Sequence, residues 1–151
     1  ARESHAVVVL DGKMYAVGGE NEDDGALSSV ERYDPATNAW EAVAPMAAER
    51  INLGVAVLDG KLYAVGGFDG VRLSSVERYD PATNAWEAVA PMATDRCHHA
   101  VAVLDGKLYA VGGENDEDGD IDCLVERYDP ALEVWEAVSP MGTARYFPLP
   151  L

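Results

Sequence analysis

Val30-Glu31-Arg32-Tyr33-Asp34-Pro35-Ala36-Thr37-Asn38-Ala39-Trp40-Glu41-Ala42-Val43-Ala44-Pro45-Met46-Ala47 occurs a second time, without a change, at residues 76–93. Self-similarity over this length outranks any local secondary-structure signal. Working outward, Asp11-Gly12-Lys13 returns as Asp59-Gly60-Lys61 and Asp105-Gly106-Lys107, at intervals of 48 and 46 residues. Trp40, Trp86 and Trp135 follow at 46 and 49. Inside each unit the spacing is strict: Tyr33, Tyr79 and Tyr128 each precede their tryptophan by seven residues. Met46, Met92 and Met141 precede Arg50, Arg96 and Arg145 by four. Length varies only between a Gly-Gly pair and the following tyrosine, which predicts a surface loop there and framework elsewhere.

Each unit reads as four short strands. Residues 6–10, 55–58 and 101–104 are brief apolar runs rich in β-branched residues and bounded by turn formers, as strands covered on both faces are. Asp-Gly next to Lys predicts a tight hairpin. The second strand, Met14-Tyr15-Ala16-Val17, stops at Gly18-Gly19, where a missing Cβ permits positive φ or close backbone approach. In Ser29-Val30-Glu31-Arg32-Tyr33, alternation puts Val30 and Arg32 on one face and Glu31 and Tyr33 on the other. Asp34-Pro35 with Thr37-Asn38 predicts a turn, and Ala39-Trp40-Glu41-Ala42-Val43 is the last strand before Pro45. No window reads as a helix. The expected class is all-β, in one domain spanning residues 1–151 with repeats at about 2–48, 49–94 and 95–143.

Gly-Gly, a tyrosine 12 to 15 residues later and a tryptophan seven further on resemble the kelch repeat. The wording from Leu62-Tyr63-Ala64-Val65-Gly66-Gly67-Phe68-Asp69-Gly70 to Ser75-Val76-Glu77-Arg78-Tyr79-Asp80-Pro81 is similar to the kelch domains of BTB–kelch adaptors of cullin-RING ubiquitin ligases. The resemblance implies a β-propeller of four-stranded antiparallel blades, with three blades here forming half of a six-bladed ring. The recurring tyrosines and tryptophans are then packing residues between neighbouring blades. A half-ring leaves an apolar blade face open at each end, so a second copy related by a two-fold axis is the expected partner. Residues 144–151 begin a fourth repeat, and Pro148 and Pro150 suit an edge or deflected tail.

Charge narrows the partners. Twenty-seven acids against 11 bases give a net charge of -16, which repels phosphate backbones and argues against nucleic acid. A basic peptide or protein patch fits better. No apolar run is long enough to span a membrane as a helix. Cys97 and Cys123 do not make a disulfide framework and suggest a reducing, cytoplasmic setting for a natural protein. Eighteen unchanged residues, solvent-facing ones included, point to recent duplication or to a designed consensus scaffold.

By the same resemblance, ligand-reading positions follow Gly-Gly and follow the repeat arginine. Here these are Glu3, Ser4, Glu20, Asn21, Ile51, Asn52, Phe68, Cys97, His98, Glu114 and Asn115. Adaptors that capture acidic peptides use arginines on this face, whereas Glu20 and Glu114 make such capture unexpected. Asp116, Asp118 and Asp120 alternate around Gly119, but the glycine is misplaced for a calcium loop and the distal glutamate is missing. Cys97-His98-His99 invites a zinc reading. Strand alternation places Cys97 and His99 on one face with His98 on the other, with Cys123 able to approach Cys97, and further ligands are lacking. No metal, cofactor or catalytic group is therefore expected. The leading reading is a non-enzymatic structural scaffold, engineered, that assembles with itself to complete the ring. The alternatives are a protein- or peptide-binding module of a ligase adaptor and, behind it, a metal site on the acidic rim.

Overall fold

The computed structural model describes residues 1–114 and 121–144, with backbone alone at 121 and 122. The described residues contain no helix, and hence none long and apolar enough to cross a membrane. Three four-stranded antiparallel sheets account for the fold. Blade 1 comprises β1 (Ala6–Leu10), β2 (Lys13–Val17), β5 (Val30–Asp34) and β6 (Ala39–Val43), paired in that order. The loop of this blade adds a small hairpin, β3 (Glu20–Asn21) with β4 (Gly25–Ala26). Blade 2 is β7 (Gly54–Leu58), β8 (Lys61–Val65), β9 (Val76–Asp80) and β10 (Ala85–Val89). Blade 3 is β11 (Ala100–Leu104), β12 (Lys107–Glu114), β13 (Ile121–Asp129) and β14 (Val134–Val138). The first strands stand side by side, β7 between β1 and β11.

The local chemistry sets each element as expected. Asp11 and Gly12 take φ of 51° and 73°, the mirror-image turn that matches strand twist, and the other two Asp-Gly pairs repeat it. Pairing Leu10 with Lys13 then fixes the register of β1 on β2. Asp34 Oδ1 accepts from the Ala36 amide at 2.9 Å and Asn38 turns left-handed, closing the β5–β6 hairpin. At Gly18 a Cβ would lie 2.5 Å from the Arg50 carbonyl oxygen, and at Gly19 2.5 Å from that of Glu3. Gly18 makes room for the segment that leads into the next blade, and Gly19 for the segment that opens its own.

Each sheet has two unlike faces. Leu10, Tyr15, Val17 and Val30 of blade 1 meet Val55, Val57, Leu62, Ala64, Tyr79 and Trp86 of blade 2. Blade 2 turns Ala56, Leu58, Tyr63, Val65 and Val76 toward Val101, Leu108, Ala110, Tyr128 and Trp135 of blade 3. The same contact is thus made twice, down to a tilted tyrosine pair at 5.8 Å in each case, Tyr15–Tyr79 and Tyr63–Tyr128. Trp86 Nε1 donates to the Ala44 carbonyl, and Trp135 Nε1 to that of Ala90, both at 2.8 Å. The tyrosine–tryptophan positions of blades 2 and 3 therefore pack between blades as expected. Those of blade 1 have no blade behind them, so Tyr33 is half-buried against Trp40 and Trp40 is 48% exposed.

Candidate functional site at the loop face

One arginine per repeat anchors the loop face. Arg50 is fully buried and donates to the carbonyls of Gly66 and Ser75, to Ser75 Oγ and to Glu77. Arg96 repeats this on the Gly112 and Leu124 carbonyls and Glu126. Each glutamate reaches back to the preceding inter-blade linker: Glu77 accepts from the amides of Ala47 and Ala48, Glu126 from those of Ala93 and Thr94. Such a buried pair is sustainable because most of its other polar atoms find partners. Arg50 Nε donates to Glu77, whereas Arg96 Nε has no hydrogen-bond partner among the described residues. Arg2 and Glu31 make the equivalent ion pair at 2.7 Å, but the Glu31 side chain is 47% exposed, against 6% for Glu77 and 4% for Glu126. Sequence reading gave these glutamates no role. Their recurrence in step with the arginines was the available signal.

This clamp brings the expected ligand positions together in pairs. Backbone bridges join Glu3 to Glu20, Ile51 to Phe68 and Cys97 to Glu114, one bridge per blade. Between the pairs, the Asn52 amide donates to the Ser4 carbonyl at 2.9 Å and the His98 amide to the Asn52 carbonyl at 3.1 Å. Ser4, Asn52 and His98 all adopt φ between 52° and 56°, a conformation uncommon outside glycine and best tolerated by asparagine. Three blades thus present one frame with three fillings: acidic, apolar, and a mixed Cys–His–Glu set. Glu3, Glu20 and Asn21, with Ala1, Arg2, Glu22 and Asp23, line an open hollow of about 370 Å³. Asn115, Asp116, Asp118, Asp120 and the fourth-repeat tail from Arg145 onward lie outside the described residues.

The expected geometry of the Cys97-His98-His99 segment needs correction. Because His98 is left-handed, strand alternation fails there and its ring comes round beside Cys97, Nδ1 lying 3.7 Å from Sγ. His99 goes inward instead, 3% exposed, and its ring would crowd a Cβ at Gly54 or Gly66. Burial, and then the nearby Arg96, hold its imidazole neutral, its pKa lowered to about 3. Glu114, unforeseen as a partner, closes the group: its Oε1 is 3.4 Å from His98 Nδ1 and its Oε2 4.0 Å from Cys97 Sγ. Arg72 reaches Glu114 Oε2 at 3.4 Å. Burial, and then the Glu114 charge, push the Cys97 thiol up to about 11. Cys97 and Cys123 are both free thiols.

Comparison with known proteins agrees with this architecture. The kelch motif family model matches residues 1–47, 49–93 and 95–142. Among curated proteins, the chain is 51% identical over 47 residues to Kelch-like protein 35 of Mus musculus and 48% identical over 54 residues to Kelch-like protein 41a of Danio rerio. Those matches span 30% and 36% of this chain but only 8% and 9% of the relatives. Among solved structures, the one titled "Structure of YjhT" superposes with a TM-score of 0.81 over 93% of this chain and 52% of its own, at 19% identity, a likeness of fold alone. Three blades of four antiparallel strands, each matched by the motif model, make this chain a member of the kelch-repeat family and a partial β-propeller.

Proposed function

We propose that the chain is a non-enzymatic protein-binding scaffold that completes its propeller by pairing with a second copy of itself. The observation carrying this reading is the mismatch between equivalent residues on inner and outer faces. Leu10 and Leu58 are 4% exposed, whereas Leu104, on the face blade 3 turns outward, is 59% exposed. Val7 and Val9, on the opposite outward face, are 50% and 64% exposed. These faces are the two halves of a contact already made twice within the chain. Glu31 and Trp40 hold the side-chain groups that grip a preceding linker elsewhere, and Gly142, Thr143 and Ser139 stand at the repeat positions of the Ala47, Ala48 and Ala44 backbone they would grip. Two copies meeting blade 3 to blade 1 twice bury both faces. The unchanged repeat stretch supports an engineered or recently duplicated origin.

Light scattering over a dilution series tests this. A species of twice 16.2 kDa is expected, dissociating in Leu104→Asp and in Val9→Asp while each variant keeps its β-sheet circular dichroism. A soluble monomer at all concentrations would refute the pairing. A second reading, the substrate-binding domain of a ubiquitin-ligase adaptor, is favoured by the two Kelch-like relatives; there the missing blades belong to the same, longer polypeptide. The acidic hollow of blade 1 then suits a basic peptide, steered by charge.

A further inference from the structure

Of the three frames on the loop face, that of blade 3 brings a thiol, an imidazole and a carboxylate together. We propose that Cys97 Sγ, His98 Nδ1 and a Glu114 carboxylate oxygen bind one zinc ion, with water in the fourth position. The three side chains place a ligand atom each within 4.8 Å of the others. The individual separations are 3.7 Å for sulfur to nitrogen, 3.4 Å for nitrogen to Oε1 and 4.0 Å for sulfur to Oε2. The two carboxylate distances belong to different oxygens. Tetrahedral zinc, with bonds of about 2.0–2.3 Å, sets its ligands about 3.3–3.6 Å apart, so closure on a single Glu114 oxygen requires side-chain shifts on the order of 1 Å. The backbone already holds the geometry. Cys97 N donates to Glu114 O at 3.1 Å and Glu114 N to Cys97 O at 2.9 Å, a two-way bridge that keeps the two side chains abreast. The left-handed turn at His98 supplies the third ligand from the next residue in sequence. Arg72 engages Oε2 and so orients the carboxylate with Oε1 toward the imidazole, the kind of outer partner that ligating carboxylates usually have.

The donor set selects the ion. A sulfur ligand disfavours calcium and magnesium, and one sulfur, one imidazole and one carboxylate suit zinc or its spectroscopic substitute cobalt. Binding replaces the thiol proton by the metal: the S–H bond breaks, the S–Zn bond forms, and one proton leaves to buffer for each ion bound. Affinity therefore rises with pH. The charged groups that bear on the thiol are Glu114, Arg72 and Asp95, together with His98.

Titration of the reduced full chain with cobalt(II), followed by displacement with zinc(II), tests the site. One equivalent is expected to produce a sulfur-to-cobalt charge-transfer band with the intense visible bands of a tetrahedral ion, and zinc to bleach both. Cys97→Ser should abolish the charge-transfer band, while His98→Asn and Glu114→Gln each weaken binding at least tenfold. His98→Asn installs the residue that blade 2 carries at the same left-handed position, so its fold is retained, and thermal melts without metal verify this for each variant. Cys123→Ser and Glu20→Gln should leave the spectra unchanged. No cobalt–sulfur band in the parent chain, a band that survives Cys97→Ser and vanishes in Cys123→Ser, or a weak octahedral spectrum would each overturn the assignment.

Discussion

Blades 1 and 2 share twenty-one consecutive identical residues, 27–47 and 73–93, yet the same side chains live in different surroundings. Trp86 is bonded to the Ala44 carbonyl, while Trp40 stands half exposed. The Glu77 carboxylate takes two linker amides, and Glu31 takes none among the described residues. Burial in this fold is thus a property of the neighbour rather than of the repeat. A face is apolar because some blade must cover it, and the covering is done by the next unit in the series.

The comparison breaks first at the arginine clamp. Arg50→Met leaves Glu77 buried and unpaired and should cost about 3–5 kcal/mol, read as a fall in the urea midpoint. In the unpaired chain, at dilutions below dimer dissociation, Arg2→Met leaves a half-exposed Glu31 and should cost about 1 kcal/mol. In the pair the loss should approach that of Arg50→Met. Equal losses would mean that blade 1 is covered in solution. Next, Val57→Asp, which opens the contact between blades 1 and 2, should cost at least ~2 kcal/mol. Val9→Asp at the matching outer position should leave the stability of the chain itself within about 0.5 kcal/mol and act on pairing alone.

His99 against Leu53 gives a smaller, pH-dependent difference at a third matched position. The folded imidazole resists protonation down to about pH 3, whereas an unfolded one charges below about 6.5. The unfolded state therefore binds the extra proton, and stability falls as pH drops from 6.5 toward 3, by at most about 1.4 kcal/mol per unit. His99→Leu, which copies blade 2, should flatten that slope in melts between pH 7 and 4. Least of all, Glu41→Gln and Glu87→Gln remove the exposed carboxylates of the Arg32 and Arg78 pairs. Each should cost under about 1 kcal/mol and by the same amount in both blades, since these side chains ask nothing of a neighbour.

Most of the fold was legible because its signals are local and recur: the Asp-Gly hairpins, the Gly-Gly approach and the β-branched runs all state their backbone geometry directly. The site was legible in its positions and illegible in its shape. Cys97, His98 and Glu114 were named as facing one surface, but alternation was assumed through His98, and a single left-handed residue reverses which of the two histidines joins the cysteine. Asn52 at the same repeat position, a residue type that tolerates that turn, was the clue at hand. Arg72 could not be foreseen at all, since its partner lies 42 residues away in the next blade and no periodicity ties the two together.

The backbone ladder through Ser4, Asn52 and His98 has one further consequence. The Asn52 and His98 amides each donate to the blade before, so the ladder has a sense of travel, like a thread with a head and a tail. Such a thread admits joining only head to tail, never head to head. Whether the joined object is finite then depends on a single angle, the turn made from blade to blade. A turn that divides the circle gives a ring that admits no further member, and any other turn gives a spiral that keeps growing.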